Sequence, residues 1–375
     1  MTYIPTNLYE IRLYDPDGIF KLIPKNLTRL EFHQRINAPW NHQITIELSK
    51  EDEEVVALRE LEDDWFVRIF RTDPYTQTRS MVYSGMHITT VDQARTTGDL
   101  IFNLYGSGYT QLLTRRVVVP PTGYENSDKT GPAESILKSY ISDCLVSPID
   151  ADRIMPGVSI EADSAEGDYI EYSTRYINLL TVCENVANAG KIDFGLIEGN
   201  NLGEVIVRAR QTWGKDRRQG NLEGNQPTVF SFLFGNMAIP ILSINASDEK
   251  NFIYVGGPGQ GTERQVEVVS SPTTKPWGRK EAFVEARQQD SDISILSTGL
   301  AYLESKKKAE ELNFDIIQTV GSRWLVDWDL GDLITARYFD KVFDKKIVEV
   351  GVVVSAEASS ELVETVSVEM SDVRL

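Results

Sequence analysis

The sequence predicts an α+β protein that is mainly β. Two β-barrel-like units, residues 1–121 and 223–375, are expected around an α+β domain at 122–222, with a helical insertion at about 276–312 in the second unit. Three observations predict this. Apolar residues recur at every second position in six or more short runs before Pro120-Pro121, the period of half-buried strands. The period turns helical over Ala133–Leu145. Alternating runs resume at Thr228 and continue to Met370. At 375 residues the chain is also long for one hydrophobic core.

In order, Leu8–Tyr14 alternates, Asp15-Pro16-Asp17-Gly18 offers a hairpin turn, and Ile19–Ile23 returns. Leu27–Ile36 and Gln43–Leu48 are further strands. Glu51–Leu61 is a short helix whose acidic first turn suits the helix dipole. Trp65–Arg71, Arg79–Val91 and Asp99–Tyr105 complete the first unit, and the proline pair ends it. Thr122–Thr130 is polar and reads as a linker. Ala133–Leu145 puts Ile136, Leu137, Tyr140, Ile141, Cys144 and Leu145 on one helical stripe. A second helix, capped by Ser173 or Thr174, carries Tyr176, Leu180, Cys183 and Ala187, with Gly190 past its end. Lys191–Ile197 and Glu204–Gln211 form a hairpin. Thr228–Phe234, Ala238–Ile244, Asn251–Val255 and Arg264–Ser270 are strands. Two helices are expected next: Glu281–Gln289, then one striped by Leu296, Leu300 and Leu303 and supported by Glu304 and Lys308. Leu312–Val320, Leu333–Tyr338, Lys346–Ser355 and Glu364–Met370 close the chain.

Apolar residues make up 41% and charged residues 25%, ordinary for a globular protein. The net charge of −18 argues against stable nucleic-acid binding, which relies on Lys and Arg contacts to phosphate. It suits a surface along which DNA passes without sticking. Two cysteines, Cys144 and Cys183, cannot build a disulfide framework and are expected as buried free thiols. The N-terminus lacks a signal-peptide pattern, and no run approaches the length of a membrane span. Synthesis in a cytoplasm, without membrane insertion, is expected.

Catalytic chemistry leaves little trace. His33, His42 and His87 lie far apart in sequence, with no HExxH, CxxC or GxSxG. Neither a cofactor nor a catalytic residue is expected. Gly256, Gly257, Gly259 and Gly261 lie between two alternating runs. Their spacing is not that of a phosphate loop, and the exit is a strand, so they read as a structural corner. Asp327, Asp329 and Asp332 are the candidate metal ligands. A calcium loop would need a later Glu where Tyr338 stands, so a turn capped by Asp side chains is expected instead. Lys215-Asp216-Arg217-Arg218 reads as a solvated loop tip. Trp65, Trp324 and Trp328 read as core or subunit-contact residues.

Several pieces occur in a telling order: WFVRIFR (65–71), STRYINLL (173–180), GNMAIP (235–240), FIYVGGPGQGTER (252–264), GRKEAFVEARQ (278–288) and DWDLGDLITARY (327–338). Their order resembles the tail-tip hub proteins of siphophages, fold relatives of the contractile-phage baseplate hub. The resemblance implies a non-enzymatic virion protein at the tail tip: a homotrimer whose six barrels match a hexameric distal tail ring. It implies contacts with that ring, with the tape-measure protein and with a central fibre or tip protein, and a role in gating the tail channel. The alternative class is a glycan-binding or glycan-cleaving β-rich protein, which would need an aromatic platform with convergent polar groups.

Overall fold

Alternating sequence becomes antiparallel pairing in the first segment of the computed structural model, which describes residues 8–96, 98–286, 292–356 and 362–373. Its elements are β1 (Tyr9–Tyr14), β2 (Phe20–Leu22), β3 (Leu27–Arg35), β4 (Asn41–Ser49), α1 (Glu54–Arg59), β5 (Phe66–Thr72), β6 (Arg79–Ala94) and β7 (Asp99–Ser107). Along β4 every second side chain is buried: His42, Ile44, Ile46 and Leu48. The middle segment holds β8 (Ser127–Pro132), α2 (Ala133–Ile141), β9 (Val158–Ile160), β10 (Tyr169–Thr174), α3 (Leu179–Gly190), β11 (Asp193–Glu198) and β12 (Val205–Arg210). The last holds β13 (Val229–Ser231), β14 (Met237–Asn245), β15 (Phe252–Gly256), β16 (Val266–Ser270), β17 (Glu281–Glu285), α4 (Asp292–Ser305), β18 (Ala309–Ile316), β19 (Leu333–Tyr338), β20 (Lys341–Ala356) and β21 (Leu362–Asp372).

Two compact units result, Met1–Asn236 with Ile316–Leu375, and Met237–Asp315. In the first, strands from both ends of the chain share one 11-stranded sheet, ordered β13-β19-β20-β3-β4-β7-β6-β5-β1-β2 with β21 also on β20. The long strand β20 is the joint. One edge takes β21, and the other takes β19 over Lys341–Lys346 and then β3 over Glu349–Ser355. None of the sheets closes into a barrel among the described residues. The expected pair of barrel-like units is therefore not the arrangement found. Alternation fixes which face a residue takes but not which strand it pairs with.

The sheet nevertheless curls until distant strands touch. Phe32 on β3 lies 5.7 Å from the Tyr83 ring on β6, and the Gln34 amide donates to the Val82 carbonyl at 2.8 Å. Glu364 on β21 accepts both Arg71 Nε at 2.7 Å and Arg71 Nη2 at 2.9 Å from β5, and the Tyr9 hydroxyl of β1 donates to the same carboxylate. Side chains thus tie together strands that no ladder joins.

The middle segment has its own core. Helix α2 buries Ile136, Leu137, Tyr140 and Ile141 against Leu179, Val182, Cys183 and Val186 of α3. Both cysteines are free and buried, and burial pushes both thiols up. Helix α3 starts later than expected. Ser173 and Thr174 belong to β10, and the Asn178 side chain caps the helix by accepting from Leu180 N. Gly190 is its last helical residue rather than lying past its end, and a Cβ there would overlap Ala133; Lys191 takes the left-handed position after it, at φ 54°. Residues 127–130 of the expected linker belong to β8, which pairs with β10. Their polar sequence hides the strand, and the partner supplies the alternation.

The second unit holds the three-stranded sheet β16-β15-β17 and the pair β14-β18. Residues 281–285, expected as helix, form β17 parallel to β15. Ala282, Val284 and Ala286 pack inward on the core of Ile253, Val255, Val269, Ile295 and Leu303, a period of two. Residues 287–289 of the expected helix lie outside the described residues. On α4 the inward stripe is Ile295, Gly299 and Leu303, while Leu300 is exposed. Lys308 lies beyond the helix and pairs with Glu310 at 2.9 Å; the Glu304 side chain lies outside what is described.

Candidate functional site

The aspartate turn sits against the two most buried indoles. Trp324 and Trp328 are 1% and 0% exposed, and Trp328 Nε1 donates to the Ser322 carbonyl at 2.9 Å. Each carboxylate caps backbone. Asp327 Oδ2 accepts from Arg323 N at 2.9 Å, and Asp329 Oδ1 from Leu330 N at 2.8 Å. Asp332 Oδ1 accepts from Lys215 N at 2.7 Å, while its Oδ2 takes Asp329 N at 3.0 Å and Arg217 Nε at 2.7 Å. Burial pushes the Asp329 and Asp332 carboxyls up; the backbone donors and the Arg217 guanidinium oppose it at Asp332. No three His, Cys, Asp or Glu side chains converge as metal ligands among the described residues.

This turn also holds the segment that reads as a loop tip. Gly331, at φ 85°, crosses Gly214 so closely that a Cβ would lie 2.6 Å from Gly214 N. Leu333 N donates to the Lys215 carbonyl at 2.9 Å, and Arg217 N to the Leu333 carbonyl at 2.8 Å. Arg217 pairs with the buried Asp332 at 2.7 Å, and Arg218 pairs with Asp216 at 2.7 Å. The basic cluster is stitched into the fold rather than solvated, because its main chain adds to β19 and its guanidinium has a buried partner.

The glycine corner lies in the second unit. Two of its backbone amides close on its own carbonyls: Gly257 N on Gln265 O at 2.9 Å, and Gln265 N on Pro258 O at 3.0 Å. The exit is one 3-10 turn, Gly261–Glu263, and then β16. Gly259 has φ 100°, and a Cβ would lie 2.6 Å from the Glu263 carbonyl oxygen. At Gly257 a Cβ would lie 2.6 Å from Ile295. Arg264 folds back over the corner. It donates to the Gly256 carbonyl at 3.1 Å, pairs with Glu285 and stacks 5.1 Å from the Phe283 centroid.

Two of the three histidines come together once the strands pair, while His33 on β3 lies apart, its Nδ1 2.6 Å from Glu349 Oε1. Gly106 on β7 lies opposite His42 on β4 and opposite His87 on β6, so the three form one cross-strand row. A Cβ at Gly106 would overlap the His42 ring. His42 Nδ1 lies 3.0 Å from the Tyr83 hydroxyl, and His87 Nε2 3.0 Å from Thr90 Oγ1. The other ring nitrogen of each is buried without a protein partner. Burial lowers His42 to about 3 and His87 to about 4. Nothing in the sequence marks this row, because it depends on registers between separate strands. The same holds for the Tyr9–Arg71–Glu364 cluster.

A cleft of about 640 Å³ opens near the β3–β20 junction in the first unit. Its cationic groups already hold carboxylates, as Lys346 does Asp193. No aromatic ring lines it, so it offers no stacking platform for a sugar.

Residues 10–364 match the family model described as Siphovirus ReqiPepy6 Gp37-like protein. No curated protein matches the chain. Among solved structures, the fold is similar to the 43 kDa tail protein of prophage MuSo2 from Shewanella oneidensis, at TM-score 0.58 and 9% identity over 96% of this chain and 97% of that one. A tail protein from Neisseria meningitidis MC58 aligns at TM-score 0.55 and 10% identity over 96% of both chains. The prophage tail protein gp18 from Listeria monocytogenes EGD-e aligns at TM-score 0.52 and 12% identity, over 96% of this chain and 94% of that one.

Proposed function

Because the chain belongs to the family of Siphovirus ReqiPepy6 Gp37-like proteins, we propose that it is a structural protein of a phage tail, the hub at the tail tip. The observation that carries this reading is the extent of the likeness. The fold aligns with tail proteins over nearly the whole of both chains. In this reading three copies surround the tail axis and join the distal tail ring to a central fibre or tip protein. They meet the tape-measure protein and gate the channel. The work is assembly and passage, without bond chemistry, metal or cofactor. The glycine corner and the aspartate turn serve as structural closures.

Mating with a six-fold ring asks each chain of a trimer for two like surfaces. The candidates are the two arms of the large sheet that meet where β3 pairs with β20. With a net charge of −18, an inward surface would repel passing DNA. No described helix is long and apolar enough to cross a membrane, and the virion is the proposed location. Antibody labelling of intact particles tests this: signal confined to the tail tip is expected. Label absent from particles, or spread along the tail tube, contradicts it.

A further inference from the structure

We propose that the groove lined by Thr114, Arg115, Arg116, Val117, Val119 and Arg153 is a docking site for an acidic peptide segment of a neighbouring polypeptide. The groove encloses about 400 Å³ and also touches Asp152. It gathers three guanidiniums in a chain whose net charge is −18. Arg115 is already matched, with Nη1 2.8 Å from Asp64 Oδ2. Arg116 and Arg153 form no ion pair among the described residues. They are nevertheless fixed in place by main-chain carbonyls. Arg116 reaches the Arg153 carbonyl through Nε at 3.4 Å and Nη2 at 3.3 Å, and the Arg115 carbonyl through Nη1 at 3.1 Å. Arg153 Nη2 donates to the Val117 carbonyl at 2.6 Å. Of the five N–H donors on Arg116, these contacts use three. Adjacent cations held in position with donors to spare are matched by carboxylates, which guanidinium binds in a forked geometry.

The walls decide between a peptide and a nucleic acid. Val117 and Val119 are 42% and 46% exposed beside the arginines. A peptide that alternates acidic and apolar side chains satisfies both kinds of surface. A phosphodiester backbone has no apolar group to set against the valines. Naming the partner as another polypeptide of the assembly rests on the tail-protein reading. Peptide binding is measured on the isolated chain, so it can fail while that reading stands.

The test is fluorescence anisotropy of the full chain with a labelled Glu-Val-Glu-Val-Glu-Val-Glu peptide. A Lys-for-Glu peptide and a short single-stranded oligonucleotide serve as comparators. Saturable binding of the acidic peptide is expected, weakening as salt rises. Arg116→Gln with Arg153→Gln should weaken it about tenfold or more. Val119→Asp keeps both arginines, changes an exposed position and should also weaken binding, so it decides the matter if the double variant fails to fold. No binding of the acidic peptide, equal binding of the basic one, preference for the oligonucleotide, or affinity unchanged in these variants would each overturn the proposal.

Discussion

Lowering the pH should destabilise the protein through the His42–Gly106–His87 row well before most carboxylates respond. Burial holds His42 at about 3 and His87 at about 4 in the folded chain, whereas an exposed histidine titrates near 6.5. Both folded values are depressed, so the unfolded chain takes up protons first. The stability is complete above about pH 6.5 and is lost as pH falls below it. Between pH 7.5 and 5.5 each histidine should cost about 1.4 kcal/mol, about 3 kcal/mol for the pair, with a slope near two protons at pH 5.5. The facing groups do not rescue the charge: Tyr83 meets His42 through its hydroxyl, and only Asp63 acts to raise His87. Asp329, Asp332 and Glu184 work in the opposite sense, because burial raises their carboxyls and folding then gains as pH falls. A variant isolates the histidine part. Urea unfolding followed by tryptophan fluorescence at pH 7.5 and 5.5 should show His87→Gln losing about 1.4 kcal/mol less than the parent across that interval. If parent and variant lose the same amount, the row is not buried in its neutral form and the reasoning fails.

Glu364→Gln leaves the Arg71 guanidinium buried, with side-chain exposure of only 6%. It should cost about 3 kcal/mol in urea unfolding, and pairing it with Arg71→Met should recover most of the loss. Gly259→Val meets φ 100° and a carbonyl oxygen 2.6 Å away; it should abolish folding or cost several times as much as Gly261→Ala, where open space leaves only backbone strain of about 1 kcal/mol. Addition of ATP or GTP should not move the melting midpoint, since the corner leads into strand β16 and not into a helix N-terminus; a shift would revive phosphate binding. EDTA should leave the midpoint unchanged, and a loss restored by calcium would turn Asp327, Asp329 and Asp332 into ligands.

Strands with one buried face were legible in the sequence. Ile44, Ile46 and Leu48 alternate in the chain and alternate in burial. The stripe of α2 and the hairpin of β11 and β12 were legible for the same reason: their patterns are local. Partnership was not legible. The pairing of β3 with β20 joins Leu30 to Val354, and sequence holds no record of which apolar face meets which. Residues 281–285 show how a short run misleads. Ala282, Val284 and Ala286 fit a strand, but the charged residues around them also suit a helix, and only β15 beside them decides. The glycine corner and the aspartate turn were expected from their residue types, since glycine lacks the Cβ that bars positive φ and an aspartate carboxylate accepts from nearby backbone amides. The clamp from Lys215 and Arg217 to Asp332 needed the crossing of two distant segments at Gly214 and Gly331.

A hub at the tail tip must assemble around the tail axis, and the mass of the isolated chain in solution tests this most directly. Light scattering coupled to size exclusion, run up to high protein concentration, should return the mass of three chains. A particle that remains one chain at every concentration would contradict a ring-forming hub.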